Sequence, residues 1–225
     1  MADAHENSGE ADGRPIRVLI VDDHEVLAAS LAMVLDVEVD ITTAGVATTL
    51  EQARALVETT RPDVVLLDHR MPDGDGVAAI PELRAAQPGI GVVVLTASAA
   101  DHVLLAAIDA GASGFLSKTR SLDEVTAAVR AAAAGESVIS PELLARLLPR
   151  FGRAGVHSAD ELTDREREVL ALVAEGLSNA AIAERLVVSV HTVRNHIASL
   201  SAKLGAHSKL EALSIAVRQG LLPDL

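Results

Sequence analysis

Residues 64–74 read Val-Val-Leu-Leu-Asp-His-Arg-Met-Pro-Asp-Gly, and this stretch decides the fold. Four consecutive aliphatic residues are typical of a strand that is buried on both faces, as in a parallel sheet covered by helices. The run ends at Asp68, and the Pro and Gly that follow indicate a turn. The stretch therefore predicts a central strand with a carboxylate at its carboxyl end.

Three further strand-like runs also end in polar side chains. These side chains are Asp22 and Asp23 after residues 18–21, Thr96 after residues 92–95, and Lys118 after residues 113–117. The carboxyl ends of parallel strands meet at one edge of an open sheet, where ligands bind. Three carboxylates, a hydroxyl and an ammonium gathered at that edge suit a divalent metal ion and a phosphoryl group.

Residues 16–135 alternate between short β-branched runs and Ala- and Leu-rich stretches of helical period. The pattern predicts a (βα)5 unit, an α/β fold with a doubly wound parallel sheet. The expected strands are 16–21, 39–44, 63–67, 91–95 and 113–117, and the expected helices are 24–35, 47–60, 75–86, 100–110 and 121–134.

The rest of the chain is helical in pattern. Residues 136–160 form a linker with one short helix that begins at Ser140-Pro141 and ends at Pro149. Residues 161–225 predict an all-α domain of four helices, the first of which opens with a capping box from Thr163 to Glu166. A very short turn joins its second and third helices, which makes them a helix-turn-helix candidate.

Composition narrows the class of protein. The 225 residues carry a net charge of −13, yet residues 162–225 hold seven acids and seven bases and are neutral, so this charge does not exclude nucleic acid. There is no cysteine, which excludes disulfides and thiolate metal sites. No apolar run approaches the roughly 18 residues of a membrane helix, so we expect no membrane association and a cytoplasmic location.

The strand-end residues resemble the receiver domain of two-component response regulators. The motif set consists of Asp22 and Asp23, Asp68 with Met71, Pro72 and Gly76, Thr96 with Ala97, and Phe115 three residues before Lys118. The resemblance implies that Asp68 is the phospho-acceptor and that Lys118 and Thr96 bind the phosphoryl oxygens. It also implies that Thr96 and Phe115 move together when the domain is activated.

The same resemblance implies a Mg²⁺ cofactor. Asp23, Asp68 and the backbone carbonyl of Arg70 would be ligands, while Asp22 would act mainly through water.

Three positions bear on how far the family pattern carries over. Thr119 follows Lys118, where many receivers have proline, and Arg70 and Ser98 occupy positions that tune the lifetime of the phosphoryl group.

Residues 162–219 resemble the four-helix DNA-binding domain of the LuxR/NarL/FixJ class. The matching residues are Leu162, Thr163, Arg165, Glu166, Glu168, Val169, Leu170, Gly176 to Asn179, Ile182, Ala183, Thr192, Val193, His196 and Lys203 to Gly205. Ala181 departs from the pattern, because the family usually has a glutamate there as the capping-box partner of Ser178.

Periodicity separates the two faces of the third helix. Its core face carries Val193, Ile197, Leu200 and Leu204, and its opposite face carries His191, Arg194, Asn195, Ala198 and Ala202. The resemblance implies that Arg194 and Asn195 read bases, as such side chains do with guanine and adenine. It implies phosphate contacts for Ser189, Thr192 and Lys203.

Together these features predict a response regulator of transcription rather than an enzyme. Its expected partners are a sensor histidine kinase, double-stranded DNA with an inverted repeat, RNA polymerase, and a second copy of the chain after activation. Two alternatives stay open: an unphosphorylated regulator that binds a ligand in the receiver cleft, and a phosphotransfer protein whose C-terminal part serves as a protein interface.

Overall fold

The computed structural model describes residues 14–97, 100–151 and 162–222. Five parallel strands form one sheet in the order β2-β1-β3-β6-β7. They are β1 (Ile16–Val21), β2 (Ile41–Ala47), β3 (Val64–Asp68), β6 (Gly91–Thr96) and β7 (Gly114–Ser117). A two-residue antiparallel ladder joins β4 (Arg70–Met71) to β5 (Gly74–Asp75). The predicted doubly wound parallel sheet is confirmed.

Helices cover both faces of this sheet. They are α1 (Glu25–Leu35), α2 (Leu50–Thr60), α3 (Gly76–Ala86), α4 (Asp101–Asp109) and α5 (Leu122–Ala133). Alternate strand residues enter two separate cores: Ile20 and Leu66 pack with α1 and α5, whereas Leu19 and Leu67 pack with α2, α3 and α4. This two-sided burial explains why the strands read as continuous apolar runs.

The expected bounds of one strand are wrong. Residues 39–44 were expected to be extended, but Val39 is 99% exposed and β2 begins at Ile41. The strand instead continues through Gly45 to Ala47, because these residues pair with the second half of β1 after a shift in register at Val18. The next helix consequently begins after Thr49, whose hydroxyl accepts from Gln52 N and caps it.

The C-terminal part is helical, as expected. Its helices are α6 (Pro141–Leu147), α7 (Asp164–Ala174), α8 (Asn179–Leu186), α9 (Val190–Leu204) and α10 (Lys209–Arg218), and residues 148–150 form one 3-10 turn after α6. Most of the linker between α6 and α7, residues 152–161, lies outside the described residues. Buried side chains of α7 to α10 belong to the same apolar cluster as α3 and α4, so the two parts pack against each other.

Candidate phosphoryl-transfer site and DNA-reading face

The structure brings the polar strand ends together at the carboxyl edge of the sheet. Asp22 follows β1 and is fully buried, and Asp68 ends β3 and is almost as buried. The Nζ atom of Lys118 lies 2.6 Å from Asp22 Oδ2 and 2.6 Å from Asp68 Oδ2. One ammonium therefore bridges two carboxylates that come from different strands.

The electrostatics of Lys118 follow from this contact. Burial alone would lower its pKa, but hydrogen bonds to Asp22 and Asp68 outweigh burial, and the pKa of Lys118 is raised above its ordinary value of 10.5. The side chain is therefore a fixed cation at neutral pH. A cation held beside the Asp68 carboxylate can stabilise an anion that arrives there.

Four side chains at this edge have donor atoms that suit a metal ion. Ligand atoms of Asp22, Asp23, His24 and Asp68 lie within 4.8 Å of one another. Two of the three carboxylates are buried, whereas Asp23 and His24 are open to solvent. Oxygen donors with solvent access fit Mg²⁺, which takes one or two carboxylates and keeps several waters.

The loop after Asp68 is held close to the acceptor. Arg70 N lies 3.2 Å from Asp68 Oδ1, and Gly76 N donates to the carbonyl of His69 at 3.0 Å. A Cβ atom at Gly76 would lie only 2.1 Å from the backbone oxygen of Asp68. Glycine is required at this position because the loop backbone passes against the end of β3.

The two expected switch residues are both buried near the site. Thr96 is 5% exposed and Phe115 is 8% exposed. The carbonyl of Thr96 accepts from Lys118 N at 2.9 Å, which ties the end of β6 to the end of β7. The bond between Lys118 and Thr119 is trans, as are all peptide bonds in the described ranges. Ser98 lies outside the described residues.

The helix-turn-helix candidate is formed by α8 and α9. Ser178 caps α8 and Ser189 caps α9, each by accepting from the backbone three residues on. Arg194 and Asn195 are exposed on the face of α9 opposite Val193. The hydroxyl groups of Ser189 and Thr192 lie 2.8 Å apart at the start of α9.

Lys203 is tied to its own domain. Its Nζ atom lies 2.7 Å from Glu166 Oε2, and Ser199 Oγ donates to Glu166 Oε1 at 2.6 Å. Glu166 is 3% exposed and also accepts from Thr163, which completes the predicted capping box. The expected phosphate contact of Lys203 therefore competes with a contact that fastens α9 to α7.

One side of α9 borders a cavity between the two parts of the chain. Arg194, Ala198 and Ser201 share the lining of a cavity of about 270 Å³ with Gly89 and Glu136. Arg194 and Ala198 remain exposed at the mouth of this cavity, and Asn195 does not line it.

Several polar side chains make contacts between the two parts of the chain. Arg84 donates to the carbonyls of Ile90 and His207, Ser208 Oγ donates to the carbonyl of Ala112, Lys209 pairs with Glu136, and Arg218 pairs with Asp109. Arg84 and Lys209 are both buried, and burial lowers the pKa of each of them.

Sequence reasoning missed several of these residues. His24 and His69 place imidazole rings beside the acidic cluster, and His69 Nδ1 lies 3.3 Å from Asp68 Oδ1. Their position next to the aspartates in the sequence was the available signal. Arg84, Glu136 and Lys209 gave no signal, because their partners are distant along the chain.

Comparisons with known proteins agree with this architecture. Residues 18–130 match the family model "Response regulator receiver domain", and residues 160–216 match "Bacterial regulatory proteins, luxR family". The fold and site thus define a two-domain regulator with a receiver and a helix-turn-helix. The chain belongs to the response regulators that carry a LuxR-type DNA-binding domain.

Particular relatives cover nearly the whole chain. The DNA-binding transcriptional activator DevR/DosR of Mycobacterium tuberculosis is 36% identical over 89% of this chain and 94% of its own length. The response regulator protein VraR of Staphylococcus aureus is 34% identical over 92% and 99%, respectively.

Solved structures agree with the sequence relatives. A structure of two RcsB dimers bound to two parallel DNAs is 25% identical, covers 91% of this chain and 99% of that chain, and has a TM-score of 0.54. Within the part of the chain that the structure describes, no helix is both long and apolar enough to cross a bilayer.

Proposed function

We propose that this response regulator is switched by phosphorylation of Asp68. The observation that carries the proposal is the Lys118 ammonium, which lies 2.6 Å from both Asp22 and Asp68. A carboxylate that attacks phosphorus brings one anion to another, so a fixed cation beside it lowers the barrier. Asp68 would form an acyl phosphate as the bond from phosphorus to the donor breaks.

The acidic residues fit a Mg²⁺ ion. Asp23, Asp68 and the carbonyl of Arg70 would hold it, with Asp22 acting mainly through water, and the ion would neutralise charge on the phosphoryl oxygens. Lys118 would then exchange a carboxylate oxygen for a phosphoryl oxygen, and the hydroxyl of Thr96 would bind another.

Phosphorylation would change the conformation of the domain through Thr96 and Phe115. Both side chains are buried, so a movement of Thr96 toward the phosphoryl group changes the space that Phe115 occupies. Phe115 lines a groove together with Leu143 of α6, the helix that leads to the second domain. Phosphorylation would shift an existing equilibrium because the phosphoryl group binds one state better.

The C-terminal domain would bind DNA through α9. Arg194 and Asn195 are the base-reading candidates, and Ser189, Thr192 and Lys203 are the phosphate-contact candidates. Arg194 lines a cavity together with Gly89 and Glu136, so a duplex in contact with α9 would meet the first domain unless the domains separate. We therefore propose that the described arrangement is the inhibited state.

Partners follow from the two domains. A sensor histidine kinase would supply the phosphoryl group, and a homodimer would bind an inverted repeat with half-sites about one helical turn apart. Dimerisation is favoured because the C-terminal domain has no basic excess, so that one copy makes few phosphate contacts. RNA polymerase is the expected partner of the DNA-bound dimer, in the cytoplasm.

The phospho-acceptor is tested by labelling. With Mg²⁺ and a small phosphodonor, the intact mass of the wild-type chain should increase by one phosphoryl group, whereas Asp68→Asn should not be labelled. Asp75→Asn is the matched control, since Asp75 caps α3 outside the cluster and its variant should be labelled normally. Labelling of Asp68→Asn to the wild-type extent would assign the acceptor elsewhere.

A further inference from the structure

Glu136 places a carboxylate in the DNA-binding domain. Its Oε1 atom accepts from Asn179 N, the first N–H of α8, at 2.8 Å, and its Oε2 atom lies 3.1 Å from Lys209 Nζ. Glu136 itself follows α5 and is part of the segment that joins the two domains. The Glu136 carboxylate thus occupies an anion site that is formed by residues of the C-terminal domain.

The anion site is built from buried groups. The Lys209 side chain is 4% exposed, and besides Glu136 its ammonium donates to the carbonyl of Leu177 and to Asn179 Oδ1, each at 3.0 Å. These two contacts lie within the C-terminal domain and hold the ammonium in place. The third N–H of Lys209 and the N–H of Asn179 are satisfied by Glu136, and both lose their partner when the domains separate.

The start of α8 lacks an acid of its own. Ser178 caps the helix through Ala181 N, and Ala181 stands where the LuxR-type pattern has a glutamate. The first turn of α8 therefore contains no acidic residue. A helix N-terminus attracts anions, and here no carboxylate of the helix itself repels an anion that comes from outside the helix.

The anion site and the base-reading face are on the same side of the domain. Asn179, Lys209 and Arg194 line one cavity, together with Glu136. A duplex in contact with Arg194 would therefore pass beside Asn179 and Lys209. Backbone N–H groups at helix N-termini and lysines are common phosphate contacts in protein–DNA complexes.

We propose that Asn179 N and Lys209 form a DNA-phosphate subsite and that Glu136 occupies it in the closed state as an internal phosphate mimic. The carboxylate and the phosphate compete for the same two donors, so closure and DNA binding exclude each other. The inference rests on the proposed DNA-binding function and assigns to it a contact and a means of inhibition.

The first test measures closure with a short random-sequence duplex as the probe, by fluorescence anisotropy and without a phosphodonor. Glu136→Gln should raise the affinity of the full chain at least about fivefold, within the usual range of coupling between sites. Glu142→Gln removes the same charge from the exposed start of α6 and should leave the affinity unchanged. Equal affinities for the two variants would overturn the role of Glu136.

The second test measures the subsite itself by salt dependence. Loss of one phosphate contact should reduce the slope of log affinity against log salt by about 0.9. The double variant Glu136→Gln/Lys209→Gln should show this reduction relative to Glu136→Gln, and Glu136→Gln/Lys209→Arg should not. An unchanged slope for Lys209→Gln would overturn the phosphate contact even if Glu136→Gln binds tightly.

A second variant and a control for DNA binding complete the experiment. If the Lys209→Gln chain does not fold, Asn179→Asp, which places a carboxylate beside the ammonium, should reduce the slope by a similar amount, and an unchanged slope would overturn the proposal. If Glu136→Gln and beryllofluoride-treated wild type both fail to bind the duplex at any salt, the DNA-binding function itself fails. Failure of the subsite alone leaves that binding intact.

Discussion

Each aspartate at the strand ends has a different environment. Asp22 is fully buried and bound to Lys118, Asp68 is buried and bound to the same ammonium, and Asp23 is more than one third exposed. The most accessible carboxylate is the one best placed to exchange water for a metal ion. Asp22 is bound to the Lys118 ammonium and has no solvent access, so it is less able than Asp23 to take a hydrated ion directly.

This difference predicts unequal effects on metal binding. Asp23→Ala should weaken Mg²⁺ binding more than Asp22→Ala, because Asp23 is the expected direct ligand. Titration calorimetry of the unphosphorylated chain measures both affinities. Asp36→Ala, which removes an acid near the end of α1, is the control for overall charge. The same Mg²⁺ affinity for wild type and Asp23→Ala would contradict the ligand assignment.

At the scale of elements, one buried glutamate fastens the recognition helix. Burial alone would raise the pKa of Glu166. Hydrogen bonds from Lys203, Ser199 and Thr163 have the larger, opposite effect, so the pKa of Glu166 is lowered from its ordinary value of 4.5 to about 2. The charged form is therefore the bound form. Its contribution to stability is present above pH 4.5 and is lost as the pH falls toward 2.

Removal of this charge should therefore have a pH-dependent effect. Glu166→Gln should lower the free energy of unfolding by about 1–3 kcal/mol at pH 7, since buried donors lose their acceptor. The difference from wild type should shrink as the pH falls from 4.5 toward 2. Urea unfolding at several pH values measures it, with the exposed Glu168→Gln as the control. A difference that stays constant with pH would contradict the assigned pKa.

Most elements were predictable because their cause is local. The continuous burial of β1 and β3, the capping box at Thr163 and the serine caps of α8 and α9 follow from neighbouring residues. The bounds of β2 were not predictable, because the register shift beside Val18 depends on how β1 and β2 pair in space. Local propensity favoured Val39, but pairing with β1 extends the strand to Ala47 instead.

The candidate site residues and the contacts between the domains also differ in how far the sequence predicts them. The location of Asp68, Thr96 and Lys118 at one edge of the sheet could be predicted, because each residue ends or directly follows a recognisable strand. The position of the second domain could not be predicted, since it depends on single contacts between distant residues. Arg84 and His207 are 123 residues apart, and nothing near either position marks it as a partner.

At the scale of the whole molecule, Arg84 holds the closed arrangement from the side of α3. Its guanidinium is buried and donates to Ile90 and, across the interface, to His207. Arg84→Met keeps the apolar stem and removes these donors. The variant should open more often, which would appear as a larger radius of gyration by X-ray scattering and a higher basal affinity for DNA.

The matched control is Arg54→Met, because Arg54 is an exposed arginine whose partner, Glu82, is exposed as well. This variant should keep the wild-type radius and affinity. An Arg84→Met chain as compact as wild type, with the same basal affinity, would show that this contact does not hold the domains together.

Charge argues against a direct electrostatic effect of phosphorylation on DNA affinity. Residues 16–135 hold 17 acids and 8 bases, and a phosphoryl group makes them still more negative, so electrostatics alone would weaken DNA binding. Any gain in affinity must come from separation of the domains or from dimerisation. Separation would expose the DNA contacts of α9, and dimerisation would double their number.

The most direct test of control by Asp68 is affinity for an inverted-repeat duplex with and without beryllofluoride and Mg²⁺, with sedimentation of the same samples. Wild type should bind more tightly with beryllofluoride and sediment as a dimer on DNA, and Asp68→Asn should show neither change. An unchanged wild-type affinity, or the same increase in Asp68→Asn, would contradict control through Asp68. A tighter complex that remains monomeric would contradict dimerisation.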